Sequence, residues 1–133
     1  MWEWVEVDAS RDGAEPMSLE REWMRGAAPL AVLTLLERRE MYGYELVEAL
    51  ERNTGGILAM GQSTVYPLLY NLEARGHVEP VWRTAPSGRR RKYYRVTADG
   101  RTWLAEQRAQ WEKLVTALGR LGLRRPEAGE AVP

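Results

Sequence analysis

Apolar residues along the chain recur first at helical spacing and then at strand spacing. Pro29 suits the opening turn of a helix, where its missing N–H costs nothing. Leu30, Leu33 and Leu36, with Val32 and Leu35 beside them, give that helix a broad apolar face running to about Arg39. Glu20 to Arg25 could add a helical turn ahead of Gly26. Met41-Tyr42-Gly43 reads as a tight connection into a second helix, Tyr44 to about Asn53, with Leu46, Val47 and Leu50 inward; Thr54-Gly55-Gly56 breaks it. Gly61-Gln62-Ser63-Thr64 starts a third helix, with Ser63 as the expected N-cap, and Val65, Leu68, Leu69 and Leu72 recur at helical spacing up to a stop at Gly76. The period then shortens. His77–Arg83 and Arg91–Val96 read as two strands around the turn Thr84-Ala-Pro-Ser-Gly88, a β-hairpin. Thr97 caps a last amphipathic helix, with Asp99 in its first turn, in which Leu104, Gln107, Trp111, Leu114, Leu118 and Leu121 advance in steps of three and four.

Three helices followed by a hairpin is the winged-helix order. The fold class expected is therefore mainly α with a small β-hairpin (α+β), a winged helix-turn-helix carrying a long C-terminal helix. Residues 1–16 have no helical apolar period. Trp2-Glu-Trp4-Val5-Glu-Val7 could form a short strand with nothing nearby to pair with it, so 1–16 reads as a poorly ordered acidic arm. The expected organisation is that arm, a winged domain over 17–96, a dimerisation helix over 97–122 and a disordered tail over 123–133.

Composition narrows the chemistry. The chain has 133 residues, enough for one modest core, and no cysteine, which excludes disulfides and thiolate metal sites. No apolar run approaches the length of a membrane helix, so no membrane association is expected. Met1–Asp12 carries acids in place of the basic and apolar regions of a secretory leader, and a cytoplasmic location follows as the expectation. Net charge is zero, from 19 basic and 19 acidic side chains, but the charges are unevenly placed. Seven acids and two bases lie between Met1 and Glu22; six bases and no acid lie between Arg83 and Arg95. A protein meets phosphates with a local patch, so the zero sum conceals the informative feature.

Two segments carry the candidate chemistry. Gln62, Ser63, Thr64 and Tyr66 occupy the first turn of the third helix, with Tyr70 further along, and the N-terminal turn of such a helix is the part that enters a major groove. Gln can address an adenine edge bidentately, and Ser or Thr a base or a phosphate. Arg89, Arg90, Arg91 and Lys92 crowd the hairpin tip, where they can follow a phosphate backbone or enter a minor groove.

Met24-Arg-Gly26, Met41-Tyr-Gly-Tyr-Glu-Leu46, Ser63-Thr-Val-Tyr-Pro-Leu68 with Leu72-Glu73 and Gly76, and Gly88-Arg-Arg-Arg-Lys-Tyr-Tyr-Arg-Val-Thr97 with Gly100 resemble the PadR family of transcriptional regulators. The resemblance runs from about Arg25 to Leu121. It implies a winged-helix homodimer that represses transcription from palindromic operators, of the short subtype with a single C-terminal dimerisation helix. By position it points to Ser63, Thr64 and Tyr66 in the recognition helix and to Arg89 through Lys92 in the wing. Arg90 stands where the family commonly has proline, and the acidic arm is outside the family pattern.

The last helix needs a cover for its apolar stripe, and a second copy of the same helix is the expected one. Leu104, Gln107, Trp111, Leu114, Leu118 and Leu121 are the expected dimer interface. Trp103 and Trp111, eight residues apart and about 80° around the axis, are candidates for stacking on a small aromatic or hydrophobic effector. His77, the single histidine, makes no metal site without partners. Glu37 with Glu40, and Glu48 with Glu51, read as solvated faces. No nucleophile–base set, phosphate loop or ligand cluster is present, so neither an enzyme nor a cofactor is expected. The alternative to a DNA-binding repressor is a winged-helix protein-interaction module that has lost DNA binding, a reading prompted by the acidic arm and zero net charge.

Overall fold

The computed structural model describes residues 19–123; the acidic arm over 1–16 and all of the expected tail beyond Leu123 fall outside the described residues. The elements run α1 (Arg21–Arg38), β1 (Met41–Tyr42), α2 (Gly43–Asn53), α3 (Gln62–Ala74), β2 (Val78–Thr84), β3 (Arg90–Val96) and α4 (Ala98–Arg120). Four helices and a small antiparallel sheet thus make the α+β fold expected.

Three local expectations are corrected. Pro29 does not open α1 but lies inside it, because the turn from Arg21 and the apolar stretch after Gly26 join into one helix. An internal proline forfeits one backbone hydrogen bond. The burial of Ala28, Val32, Leu33, Leu35 and Leu36 on the same helix holds it in place. Met41-Tyr42 is more than a connection: it forms a two-residue strand paired antiparallel with β3, Met41 opposite Tyr94 and Tyr42 opposite Tyr93. The sheet order is β1-β3-β2, so the hairpin strand β3 is central. Ser63 is not the N-cap of α3. Gly61 holds that position, without a side-chain cap bond, and Ser63 sits exposed inside the first turn.

The core lies where α1, α2, α3, the inner face of the sheet and the start of α4 meet. Val32, Leu33, Leu46, Leu50, Val65, Leu69, Leu72 and Leu104 have no exposed surface there. Two close approaches fix the helix crossings. Gly43 at the start of α2 lies against the Tyr66 ring of α3, with no room for a Cβ. Gly100 in the first turn of α4 lies equally close to the His77 carbonyl. Thr97 reinforces this second junction: its Oγ1 accepts from the Gly100 N–H at 2.9 Å and donates to the Gly76 carbonyl at 2.6 Å. Gly76 adopts φ +80°, the left-handed conformation expected of a helix stop. Among the described residues no helix is long and apolar enough to cross a membrane, and no cluster of acidic and histidine side chains could hold a metal ion.

Candidate nucleic-acid interface

The first turn of α3 presents Gln62, Ser63 and Thr64 to solvent, while Val65 and Leu69 turn into the core. Tyr70 lies two turns beyond Ser63 and about 20° from it around the axis, and is 56% exposed. Tyr66 departs from its expected place. Its ring packs on Gly43 and the core and is partly buried, so it serves the crossing of α2 with α3. The exposed set on this helix is therefore Gln62, Ser63, Thr64 and Tyr70.

Alternation in β3 divides the cationic run. Residues 90, 92, 94 and 96 share one face and residues 91, 93 and 95 the other. The first face carries Tyr94 and Val96 into the core and turns Lys92 towards α3. The Lys92 ammonium lies 3.6 Å from the Glu73 carboxylate and 5.6 Å from the Tyr70 ring, both on α3. It also stands 5.3 Å from the Tyr94 ring. Burial alone would lower the Lys92 pKa, but hydrogen bonding to Tyr94 and the attraction of Tyr94 and Glu73 outweigh it, and the net direction is upward. Burial pushes the Tyr94 hydroxyl up, against the pull of Lys92. Lys92 thus joins the wing to the C-terminal half of α3, on the helix face that carries Tyr70.

On the opposite face of the sheet the positive charge is largely compensated. Arg83 donates to both Glu40 oxygens, at 2.7 and 3.0 Å. Arg95 donates to Glu79 at 2.9 Å and stands 3.6 Å from Glu40. The Arg83 hydrogen bond holds the Glu40 carboxyl below its ordinary range despite some desolvation, and Glu40 raises Arg83 in turn. Arg91 lies on this face, 4.6 Å over the Tyr42 ring, and not on the α3 side with Lys92. Of the six bases counted in sequence, Arg83, Arg95 and Lys92 have carboxylate partners, and Arg89, Arg90 and Arg91 have none among the described residues. Arg89 sits exposed at the end of the turn, and Arg90 lies 5.2 Å from the ring of Trp82.

Glu37 and Glu40 are likewise not simply solvated. Glu37 accepts from Arg108 of α4 at 2.9 Å and lies 3.9 Å from Arg101, tying α1 to α4. Sequence reasoning missed both glutamates because their partners lie 43 and 71 positions away.

The last helix splits into two parts. Leu104 has no exposed surface and belongs to the chain's own core, so it offers nothing to a second copy. Trp103 is half-buried and stacks on His77, ring centroids 4.9 Å apart and 20° from parallel, so that face is taken. This also accounts for His77 as a packing residue. Beyond Gln107 the stripe is bare: Trp111 is 54% exposed and Leu114 47%, with Val115 and Leu121 also exposed and Leu118 partly so.

Residues 32–106, more than half the chain, match the Transcriptional regulator PadR-like family. A transcriptional regulator of Mycobacterium tuberculosis is 35% identical over 94 residues, covering 71% of this chain and 84% of that protein. A crystal structure of a PadR family transcriptional regulator from Eggerthella lenta is similar at a TM-score of 0.67 with 33% identity, covering 91% of this chain and 96% of the other. A Streptococcus transcriptional regulator is similar at a TM-score of 0.68 with 29% identity, covering 78% of this chain and all of the other. With a domain match over its core, relatives along most of its length and the winged architecture in common, this chain belongs to the PadR-like family of transcriptional regulators, and DNA is the partner that membership implies.

Proposed function

We propose that the protein is a non-enzymatic, sequence-specific repressor that binds a palindromic duplex as a homodimer. The observation that carries this reading is the pairing of an exposed polar turn, Gln62-Ser63-Thr64, with a wing held to the same helix through Lys92 and Glu73. The turn enters the major groove and reads base edges, with Tyr70 beside it; Arg89 and Arg90 meet the adjacent backbone or minor groove. Ser63, free of capping, keeps its hydroxyl for DNA.

Dimerisation through the bare stretch of α4 supplies the second recognition helix, about 34 Å away for half-sites one turn apart. Trp111, Leu114 and Leu118 form the centre of that contact. A small aromatic or hydrophobic effector stacking on Trp111 between the subunits would shift the spacing and release the operator; the exposed indole on an otherwise aliphatic stripe supports this part of the reading. Trp111→Phe then loses the fluorescence response that candidate aromatic compounds produce in the parent, and an unchanged response overturns it.

Mobility shift on a duplex selected from a random library by the protein itself tests DNA binding. Selected duplex is bound in preference to random duplex, and Arg89→Ala, which removes one cation from each subunit of the dimer, lowers the slope of log affinity against log salt by about 1.8. A parent protein with no preference between the two duplexes defeats the proposal and favours the interaction-module alternative.

A further inference from the structure

Trp82 has no part in the core and none in the DNA-binding set named above. It lies in β2 directly opposite Lys92, on the sheet face turned towards α3, and is 54% exposed. A large exposed indole on a solvated hairpin is an exception to the usual burial of Trp. Its diagonal neighbour across the strand pair is Arg90, whose guanidinium carbon lies 5.2 Å from the ring centroid. Arg90 is also the one wing cation that is placed in β3 on the α3 side and has no carboxylate partner among the described residues; Lys92, on the same face, is paired with Glu73.

We infer that Trp82 is a positioning residue for Arg90, holding its guanidinium over the indole face so that it meets a phosphate already oriented. This rests on the DNA-binding reading above. A free arginine samples many rotamers, and clamping it at a phosphate costs that freedom at the moment of binding. Stacking on an aromatic face removes part of the freedom beforehand. The stack leaves the guanidinium edge, with its donors, open to an anion, because the ring engages only one flat side. A carboxylate at this position would fix the side chain as well, but would also cancel its charge, as Glu40 does for Arg83. An aromatic ring fixes Arg90 while leaving the charge available.

The idea is tested with full-length protein and the duplex selected by the parent, comparing Trp82→Leu, Trp82→Phe, Arg90→Ala and the double variant Trp82→Leu/Arg90→Ala. Trp82→Leu keeps an apolar side chain on the exposed position and removes the π face; melting curves establish that each variant is folded. Arg90→Ala, which removes one cation from each wing of the dimer, lowers the salt slope by about 1.8. Trp82→Leu, which removes the stack from both wings of the dimer, weakens binding about five- to thirtyfold and lowers the slope in the same direction, because the cation it orients engages less. Trp82→Phe stays close to the parent. The double variant is no weaker than Arg90→Ala alone, within about twofold, since Trp82 acts only through Arg90. A Trp82→Leu protein with parental affinity overturns the inference. So does a loss of affinity at unchanged salt slope, or a double variant whose losses simply add, either of which makes Trp82 a direct contact. A parent that binds no duplex selectively overturns the DNA-binding reading itself, and this inference with it.

Discussion

Replacing Leu104 and Leu114 by alanine, one at a time, separates two roles that the same helical stripe conceals. Leu104 and Leu114 lie ten residues apart on α4, within about 80° around the axis, and in sequence they look alike. Leu104 has no exposed surface in the single chain, whereas Leu114 is 47% exposed. Leu104→Ala therefore opens a cavity in the subunit's own core, at a cost of about 3–5 kcal/mol. For a chain of this size that corresponds to a fall in Tm on the order of 10–20 °C. Leu114→Ala leaves the subunit core intact. It removes roughly 1 kcal/mol of burial from each copy at the proposed interface, about 2 kcal/mol per dimer, or about a thirtyfold rise in the dimer Kd. Sedimentation across a hundredfold concentration range measures that Kd, and thermal melts followed by circular dichroism measure the Tm. Leu104→Ala should melt early with its dimer Kd within a few-fold of the parent, and Leu114→Ala the reverse. If Leu104→Ala moved the dimer Kd thirtyfold and hardly changed the melt, the division of α4 into a core half and an interface half would be wrong.

Further expectations follow from the junctions and ion pairs. Gly100→Ala forces a Cβ onto the His77 carbonyl and should destabilise by on the order of 2–3 kcal/mol, whereas Gly26→Ala, in open space inside α1, should stabilise by about 0.5–1 kcal/mol; chemical denaturation of both variants checks the sign. Glu40 has a folded-state pKa below its ordinary value, so its pairing with Arg83 adds stability above the ordinary glutamate range and loses it as pH falls through the lowered value. Glu40→Gln should thus be slightly less stable than the parent at neutral pH, a small effect because solvent screens so exposed a pair. The two proteins should converge in acid, and urea melts across pH would show a constant difference if the pair contributes nothing.

The α+β class and the order of helices and hairpin were legible from periodicity and turn chemistry, which also singled out the two segments proposed to meet DNA. Apolar side chains at steps of three and four can form a stripe only on a helix, and alternating ones a face only on a strand. The structure alone decided which members of each segment are available. β3 cannot turn consecutive residues the same way, so the run Arg89–Lys92 is divided between two faces and its charge is partly met by Glu73. Tyr66 is drawn into the crossing of α2 and α3 by the absence of a side chain at Gly43, a contact between residues 23 positions apart. The stripe on α4 looks uniform in sequence, yet α1 and the His77 junction cover its first turns and leave the rest bare. Local spacing determines which side of an element is apolar; what covers that side depends on residues distant along the chain, and only the packed molecule brings them together.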